Sequence, residues 1–455
     1  TLGDATIAGA TFNLCAAEDI YEGPTKIYTA NQVITTVTTD AYGNTAAVTN
    51  LPVGKYYYVE TAPSVGFNIN TNRLNLAINY VDQNTAVIPE VYGEVAEAPI
   101  YGNIQITKKL GALDYDPEIN LKGVQFKATL KSNTAQVYYS TTSDASGVCT
   151  FTNIPYGLYE IEEWVVPNEA EKIANFDVNI TEHGKTYTYT KVDTSKDMKI
   201  SVNKQIKVNA GEKTDAVVQG AEFTVYRDAA CTNKVCVIGP TDASGYAISG
   251  TMRTGTYYLK ETKFPEGIDP DATIPGENVT YRNKVYSVTY NNANQGTEQV
   301  TVPLTVQNEP KRNDIEIFKE IGKTSNTTQA PLDKCEFTAT LKSSIGTSQV
   351  FSRKCTAETN ADGYCIIEDL PYGDYVIEET KVSPISLKCD NFDINIKEDQ
   401  KVQTTPYSKN IVDEPKVMQI KMRKVDANRT DADAPDMTQG DGVLEGAIYQ
   451  VFRYD

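Results

Sequence analysis

Hydrophobic and polar residues alternate along most of the chain, and this alternation predicts β-strands. In PYGLYEIEE, which ends at Glu163, the residues Tyr159, Ile161 and Glu163 fall on one face of a strand. The phrase returns as PYGDYVIEE, VGKYYYVE and TGTYYLKE, which end at Glu379, Glu60 and Glu261. Each glutamate is in phase with the apolar residues, although a lone buried carboxylate is costly. The pattern therefore predicts glutamates inside the cores, where each needs a partner or a function.

A second alternating pattern opens each repeat and ends in lysine. Its copies IQITK, ISVNK, IEIFK and IKMRK end at Lys108, Lys204, Lys319 and Lys424. Seven residues before each opening isoleucine stands an acid or an amide, namely Glu97, Asp193, Asn308 and Asp413. The spacing predicts three polar groups on one buried face of each complete repeat: a lysine on the first strand, a glutamate on a middle strand, and Asn or Asp on the last.

Other signals recur between these patterns. The turns TTDAYGN, TSDASGV, PTDASGY and ETNADGY have hairpin chemistry, and the strands before them contain GATF, GVQF, GAEF and KCEF. We predict repeats at 1–98, 99–196, 197–311 and 312–416, and the start of a truncated fifth at 417–455. Linkers of a few residues should join them semi-rigidly. Strands throughout, with frequent turns, predict an all-β fold of tandem immunoglobulin-like antiparallel β-sandwiches, arranged as beads on a string.

Composition narrows the function. The 455 residues are 40% hydrophobic, which supports real cores, and the formal net charge of −18 argues against nucleic acid or an anionic membrane as partner. No apolar run is long enough to span a membrane. We find no nucleophile and base pair, metal cluster or phosphate loop. We therefore expect no enzyme acting on outside substrates, no metal site and no cofactor.

Eight cysteines permit disulfides without requiring them. Cys231 and Cys236 lie in the short segment ACTNKVC and could close a local bridge. Cys149 and Cys365 occupy the same repeat position, which favours small buried side chains. The remaining pairings are undecided from sequence.

A lysine, a glutamate and an Asn or Asp in one apolar core could react. Desolvation lowers the pKa of lysine and raises those of the acids, so the amine can become neutral and nucleophilic. Beside a protonated glutamate, it could attack a carboxamide or carboxylic acid, expel ammonia or water, and leave an amide between side chains. The alternative is that the lysines reach solvent or form ordinary ion pairs.

Taken in order, the lysine opening, the D-x-x-G turn, the G-x-Y-x-L-x-E strand and the closing N-x-P resemble Cna B-type domains of Gram-positive surface adhesins and pilins. The resemblance covers nearly the whole chain and implies spontaneous intramolecular isopeptide bonds. The implied sets of lysine, acceptor and proton-shuttling glutamate are Lys204, Asn308 and Glu261; Lys319, Asp413 and Glu379; and Lys108, Asp193 and Glu163. Two sets have Asp in place of Asn, so water would leave, and Ser195 stands where proline is expected.

Repeat 1 departs from the pattern. Its first strand is missing, and the opening lysine would lie before Thr1. The closing position is Glu97, whose side chain is longer than the usual acceptor. We predict no bond there, and the role of Glu60 is open. Lys424 opens a fifth repeat whose partners are absent.

These observations predict a structural stalk or fibre segment of an extracellular protein on a bacterial cell surface, anchored to the wall or part of a fibre. Its partners would be its flanking repeats and a protein or glycan of the host or a neighbouring cell. One alternative is that a repeat is itself an adhesive module, with the long insertion Pro265 to Gly296 as a candidate surface. Another is a sortase-assembled pilin shaft, although neither a pilin-type linking lysine motif nor an LPXTG-type signal is present.

Overall fold

The computed structural model describes residues 3–86, 88–291, 299–325, 327–399, 406–422 and 448–450. These residues form strands and two short 3-10 helices, Tyr281–Asn283 and Lys342–Ser344. The predicted all-β class is therefore confirmed. In the described part of the chain, no helix is both long and apolar enough to cross a membrane.

The chain divides into two units. Unit 1 comprises residues 1–205, 218–265 and 270–308, and unit 2 comprises residues 206–217, 266–269 and 309–455. The repeat boundaries given above stay predictions, and Lys424 with most of the predicted fifth repeat lies outside the described residues.

Repeats 1 and 2 supply the first seventeen strands. Those of repeat 1 are β1 (Thr11–Ala16), β2 (Ile20–Glu22), β3 (Thr25–Tyr28), β4 (Val33–Thr38), β5 (Gly54–Ala62), β6 (Phe67–Asn68), β7 (Leu74–Ile78) and β8 (Ala98–Pro99). Those of repeat 2 are β9 (Tyr101–Leu110), β10 (Ile119–Asn120), β11 (Gln125–Leu130), β12 (Val137–Tyr139), β13 (Val148–Pro155), β14 (Gly157–Val165), β15 (Ala170–Glu171), β16 (Phe176–Ile180) and β17 (Thr186–Ser195).

Repeats 3 and 4 follow the same order. The strands of repeat 3 are β18 (Asp197–Ile206), β19 (Glu222–Tyr226), β20 (Lys234–Ile238), β21 (Tyr246–Ile248), β22 (Met252–Arg253), β23 (Gly255–Lys263), β24 (Tyr286–Tyr290) and β25 (Val300–Asn308). Those of repeat 4 are β26 (Arg312–Ile321), β27 (Ala330–Pro331), β28 (Glu336–Leu341), β29 (Ser352–Lys354), β30 (Tyr364–Pro371), β31 (Gly373–Lys381), β32 (Phe392–Ile396) and β33 (Tyr407–Asp413).

One four-stranded sheet is common to all four repeats. Its strand order is β4-β1-β5-β7 in repeat 1, β12-β11-β14-β16 in repeat 2, β20-β19-β23-β24 in repeat 3 and β29-β28-β31-β32 in repeat 4. The strand with the G-x-Y phrase is central in each. We call this the phrase sheet.

Repeats 2 to 4 have a second sheet built around the opening strand. In repeat 2, β9 pairs antiparallel with β13 and parallel with the last strand, β17. In repeat 4, β26 pairs in the same way with β30 and β33, and in repeat 3, β18 pairs with β21, β22 and β25. The strand where the chain enters a repeat is thus hydrogen-bonded to the strand where it leaves.

The alternation of side-chain direction along each strand decides which residues are buried between the two sheets. Along β9, half-buried and buried positions alternate without interruption, and Ile104, Ile106 and Lys108 all fall on the buried side. The tyrosine of the G-x-Y phrase is at most 1% exposed in every repeat. In Tyr56, Tyr257 and Tyr375 its hydroxyl donates to the carbonyl oxygen four residues earlier, at 2.6 to 2.8 Å. The phrase therefore anchors the turn before it to the core.

Within unit 1, repeats 2 and 3 are joined through buried Asp116. Its carboxylate pairs with Arg227 and Arg253, and it also accepts a hydrogen bond at 2.8 Å from the backbone amide of Arg253. A charge-assisted contact to two arginines restricts the angle between these repeats.

Candidate functional site

Strand register brings the predicted residues of repeat 2 together. Lys108 on β9 lies opposite Lys191 on β17, and Asp193 follows two residues later on the same face. Glu163 comes from the phrase sheet, where it lies opposite Phe126. The two sheets therefore converge on one point from opposite sides of the core.

The resulting group in repeat 2 is fully enclosed. The Lys108 amine contacts Asp193 Oδ1 and lies 3.2 Å from Glu163 Oε1, and all three side chains have no exposed area. The other glutamate oxygen, Oε2, accepts a hydrogen bond of 3.1 Å from the Ile173 amide. Asp193 Oδ2 has no hydrogen-bond partner. The lysine amine is thus in contact with the carboxyl group it is predicted to attack.

Burial changes the acid–base behaviour of this acceptor. It raises the pKa of Asp193 to about 7, against the opposing effect of the hydrogen bond from Lys108. A protonated carboxyl is a better electrophile than a carboxylate, because attack on it does not build up a second negative charge.

Repeat 4 repeats this geometry in unit 2. The Lys319 amine contacts Asp413 Oδ1 and lies 3.3 Å from Glu379 Oε1, with no exposed side-chain area at any of the three. Asp413 Oδ2 accepts a hydrogen bond of 2.9 Å from Ser386, and Glu379 Oε2 accepts one of 3.0 Å from the Cys389 amide. The Ser386 bond distinguishes this acceptor from Asp193.

The electrostatics of repeat 4 favour an ion pair more strongly. Burial alone would lower the pKa of Lys319, but the hydrogen bond to Asp413 and the nearby Cys389 and Glu379 outweigh it, so the pKa is raised. The lysine is therefore held in its charged, non-nucleophilic form.

Repeat 3 has a different arrangement because its acceptor is an amide. The Lys204 amine lies 3.8 Å from Glu261 Oε1, and Asn308 Nδ2 donates to Glu261 Oε2 at 2.8 Å. All three residues are at most 2% exposed. The Lys204 amine and Asn308 Oδ1 have no hydrogen-bond partner. The glutamate thus faces both the amine and the amide nitrogen that would leave.

Burial brings the pKa values of the two titrating groups of repeat 3 closer to each other. It lowers the pKa of Lys204 to about 8 and raises that of Glu261 to about 7, with each opposing the shift of the other. Near neutral pH both can be uncharged, which is the state required for attack and proton transfer.

Two contacts of the buried lysines were not predicted from sequence. The amine of Lys108 lies 5.8 Å from the centre of the Phe126 ring, and that of Lys319 lies 5.4 Å from the Phe337 ring. These are the aromatic residues of GVQF and KCEF, and they provide cation–π support. The sequence shows the aromatic motif, but it does not show that the ring lies beside the lysine, because that depends on how the two sheets are placed against each other.

The glycine of the D-x-x-G turn holds the backbone of the lysine. In repeats 2, 3 and 4 the lysine amide donates at 2.7 Å to the carbonyl oxygen of Gly147, Gly245 or Gly363. Each glycine has a φ between 73° and 83°, and an added Cβ would overlap the carbonyl oxygen of the lysine. Only glycine fits there, so the turn fixes the lysine position.

Repeat 1 has the two acidic positions without the lysine. Glu60 lies opposite Phe12, as the other glutamates lie opposite their phenylalanines, and it is 4% exposed. Burial and the neighbouring Glu60 raise the pKa of Glu97 to about 6. Three of their four carboxyl oxygens have no hydrogen-bond partner. Buried Glu60 and half-buried Glu97 therefore lie side by side, and within the described part of the chain neither forms an ion pair.

The predicted Cys231–Cys236 bridge stays a prediction. Both cysteines are free, with Cys236 in the core of repeat 3 and Cys231 in the preceding turn. In repeat 4, Cys355 Sγ and Cys365 Sγ lie 2.9 Å apart.

One cluster in repeat 4 could in principle hold a metal. Glu379, Cys389 and Asp413 offer ligand atoms within 4.8 Å of one another. The Lys319 amine, however, already contacts both carboxylates there, so its charge occupies the place of a cation. We assign this cluster to the lysine site.

The fold and its sites define a class: tandem β-sandwiches, three of which enclose a lysine, a glutamate and an acid or amide. Comparison with protein families also finds tandem domains of one β fold. The SpaA prealbumin-like fold domain matches residues 2–90, 102–195, 203–294 and 319–410, which is most of the chain. The chain therefore belongs to this family and carries four copies of its domain. No curated protein matches it at a significant level.

Comparison with solved structures finds several similar chains. The Bacillus anthracis TIE protein is 16% identical, with a TM-score of 0.50, over 90% of this chain and 69% of that one. The major pilin subunit of Bacillus cereus is 13% identical over 69% and 99% of the two chains, with a TM-score of 0.29. The major pilin SpaD from Corynebacterium diphtheriae is 12% identical over 70% and 98%, with a TM-score of 0.21. At these identities the likeness concerns the fold alone.

Proposed function

We propose that this chain is a structural stalk or fibre segment of a bacterial surface protein, stiffened by self-formed isopeptide bonds. The bonds would join Lys108 to Asp193, Lys204 to Asn308, and Lys319 to Asp413. The observation that carries the proposal is the repetition of one arrangement. In three repeats a buried lysine of the first strand lies within 4 Å of a buried glutamate, and the last strand carries a buried acid or amide into the same core.

The chemistry in repeat 3 balances without any outside reagent. The neutral Lys204 amine attacks Cγ of Asn308 while protonated Glu261 donates a proton towards the acceptor group. Glu261 then carries the amine proton to the departing nitrogen, and ammonia leaves as the amide forms. In repeats 2 and 4 the corresponding group expelled from the aspartate is water.

The placement of the bonds supports a mechanical role. Each would connect the opening strand of a repeat to its last strand, which lie side by side in parallel. A pull on the two ends of a repeat would run through the covalent link, and the phrase sheet would carry little load. The repeat would then resist extension and proteolysis.

Location at the cell surface, and attachment to the wall or to a fibre, belong to the same proposal. Membership of the SpaA family supports them, as does the acidic composition, because like charges on the surface oppose aggregation. The names of two structural neighbours describe those proteins as major pilins. We propose a related load-bearing role for this chain.

Intact mass under denaturing and reducing conditions tests the proposal. We expect the full chain to be lighter than its sequence by one ammonia and two waters, and peptide mapping should recover three branched peptides. Lys108→Ala should restore one water. The matched control is Lys109→Ala, because Lys109 is partly exposed and pairs with Glu118 at 2.7 Å; it should restore nothing. A wild-type mass equal to that of the linear sequence would falsify the proposal.

A further inference from the structure

The acceptor of repeat 4 has a hydrogen-bond donor that the acceptor of repeat 2 lacks. The Ser386 hydroxyl donates to Asp413 Oδ2 at 2.9 Å, and Ser386 is 0% exposed. In repeat 2, Asp193 Oδ2 has no hydrogen-bond partner. The serine hydroxyl is therefore a specific addition to the acceptor of repeat 4, and the proton transfers proposed for the glutamate do not use it.

Backbone pairing holds Ser386 beside the acceptor. Ser386 forms an antiparallel bridge with Pro415, which lies two residues after Asp413. The neighbouring Leu387 amide donates to the carbonyl oxygen of Glu414 at 2.8 Å. Because the backbone is paired on both sides of the acceptor's chain neighbour, the hydroxyl reaches Asp413 from a fixed position.

The same backbone position occurs in repeats 2 and 3 without a hydroxyl. In repeat 2, Ala170 pairs with Ser195, which also lies two residues after the acceptor. In repeat 3, Ile268 pairs with Pro310 in the same way. Both Ala170 and Ile268 are buried. The fold therefore accepts a small or a β-branched apolar side chain at this position and does not require serine.

The hydroxyl contacts the oxygen atom that the reaction would keep. The Lys319 amine lies between Asp413 Oδ1, which it contacts, and Glu379 Oε1, which is 3.3 Å away. A proton that leaves the amine through Glu379 therefore reaches Oδ1, so Oδ1 departs as water. Oδ2 becomes the amide oxygen, and it carries the negative charge that attack on Cγ creates. A donor at 2.9 Å is at the distance that stabilises such an oxyanion.

We propose that Ser386 is a catalytic residue of the Lys319–Asp413 bond, and that its hydroxyl stabilises the oxyanion on Asp413 Oδ2. This inference rests on the bond proposed above for repeat 4. A proton first passes from the Lys319 ammonium to Asp413 Oδ1. The neutral amine then forms a bond to Cγ, and the π electron pair of the C=O group moves onto Oδ2.

The remaining steps return every group except the new amide to its starting state. The Glu379 carboxylate takes a proton from the attached nitrogen and gives it to the Oδ1 hydroxyl. The electron pair on Oδ2 re-forms the C=O bond as water leaves. Ser386 keeps its own proton throughout and acts only as a hydrogen-bond donor.

Refolding of unlinked full chain from denaturant tests the role of the hydroxyl. The Lys319–Asp413 branched peptide is quantified by mass over time, which gives the rate of bond formation. We expect Ser386→Ala to lower this rate at least ~10-fold, because removal of one oxyanion donor slows a reaction by about 10²–10³-fold. A smaller decrease overturns the proposal.

Ser386→Thr and Ser386→Val separate the hydroxyl from packing, because the two new side chains have nearly the same shape. The β-branched Ile268 at this position of repeat 3 indicates that both can be accommodated. We expect Ser386→Thr to keep the rate within about threefold of the wild type and Ser386→Val to be as slow as Ser386→Ala. Equal rates for the Thr and Val variants would show that packing alone sets the rate, which contradicts the proposal.

Repeats 2 and 3 supply matched controls in the same chain. The rate of the Lys204–Asn308 bond should not change with the residue at position 386. The reciprocal variant Ala170→Ser adds a hydroxyl beside the unpartnered Asp193 Oδ2, and it should speed the bond of repeat 2 at least about threefold. No acceleration in that variant would count against an oxyanion donor at this position.

Failure of this inference differs from failure of the proposed function. If the wild type never yields the branched peptide of repeat 4, the bond is absent and both are overturned. If the wild type yields it and Ser386→Ala yields it equally fast, the bond stands and only the role of Ser386 is overturned.

Discussion

The Nζ atom of Lys204 lies 3.8 Å from Oε1 of Glu261, and neither atom has a hydrogen-bond partner. Burial gives Lys204 a pKa of about 8 and Glu261 a pKa of about 7. Because the two pKa values are about one unit apart, a proton can pass between the amine and the carboxyl group at little cost. Bond formation in repeat 3 should depend on pH in a way that neither group alone would produce.

We predict a bell-shaped rate of ammonia loss with a maximum between about pH 7 and about pH 8. Below this range the pKa of Lys204, about 8, leaves the amine protonated and not nucleophilic. Above it the pKa of Glu261, about 7, leaves the carboxyl ionised and unable to donate. The rate is measured by refolding denatured, unlinked chain across a pH series and quantifying the branched peptide by mass. A rate that keeps rising above pH 9 would contradict the role of Glu261.

The bonds of repeats 3 and 4 should also form in a definite order. Contact with Asp413 raises the pKa of Lys319, so its neutral form is scarce, whereas burial lowers the pKa of Lys204. We expect repeat 4 to react at least ~10-fold more slowly than repeat 3 at pH 7.5. The same refolding series, sampled over time and mapped by peptide, gives both rates. Equal rates would show that protonation of the lysine does not limit the reaction.

The sequence predicted the three buried sets because alternation alone decides which face of a strand a residue occupies. Lys108, Lys204 and Lys319 are all at most 1% exposed, as their phase required. The rings of Phe126 and Phe337 were missed because their position beside a lysine depends on register between two sheets.

The sequence predicted that the first strand of repeat 1 is missing, but not that the segments expected beside it form no strand. Residues 46–53, AAVTNLPV, resemble the β13 sequence VCTFTNIP but form no strand. A strand needs a hydrogen-bonded neighbour, and local sequence does not show whether that neighbour is present.

Glu261→Gln should keep the packing of the site and remove its proton transfer. Glutamine fills the same volume and can hydrogen-bond Asn308, but it cannot shuttle a proton. We expect the ammonia loss to disappear and repeat 3 to lose about 4.7 kcal/mol, the estimate for opening a loop of roughly 100 residues. Mass spectrometry and thermolysin cleavage within repeat 3 report the two effects.

Glu162→Gln is the control, because Glu162 pairs with Lys127 and Lys172 outside the core. A variant that still loses ammonia would remove Glu261 from the mechanism.

The stability of repeat 1 should fall as pH rises from about 4 to about 6. Burial and Glu60 raise the pKa of Glu97 to about 6 in the folded chain, above the unfolded value of about 4.3. Folding therefore favours the protonated carboxyl, and this stabilisation is complete below about pH 4 and lost above about pH 6. Glu97→Gln should flatten the slope and raise the melting temperature at pH 7.

Calorimetry of the full chain measures this slope, and the transition that Phe12→Ala shifts identifies repeat 1. Glu18→Gln serves as the control and should keep the wild-type slope. An unchanged slope in Glu97→Gln would show that another group of repeat 1 titrates in this range.

Cys355 and Cys365 should form a disulfide that joins the two sheets of repeat 4. Their Sγ atoms are 2.9 Å apart; Cys355 follows β29 of the phrase sheet, and Cys365 lies on β30 of the other sheet. The hydrogen bond between them lowers the pKa of Cys355, which makes it the attacking thiolate.

Oxidised glutathione would accept the two electrons and leave as two reduced molecules when the disulfide forms. We expect alkylation after denaturation to miss these two cysteines in oxidised protein and to modify both after reduction. Repeat 2 is an internal control, because Ser140 stands where Cys355 would be and Cys149 has no thiol partner there. Full alkylation of Cys355 and Cys365 in the glutathione-treated chain would show that the two strands do not bring the sulfurs into reacting contact.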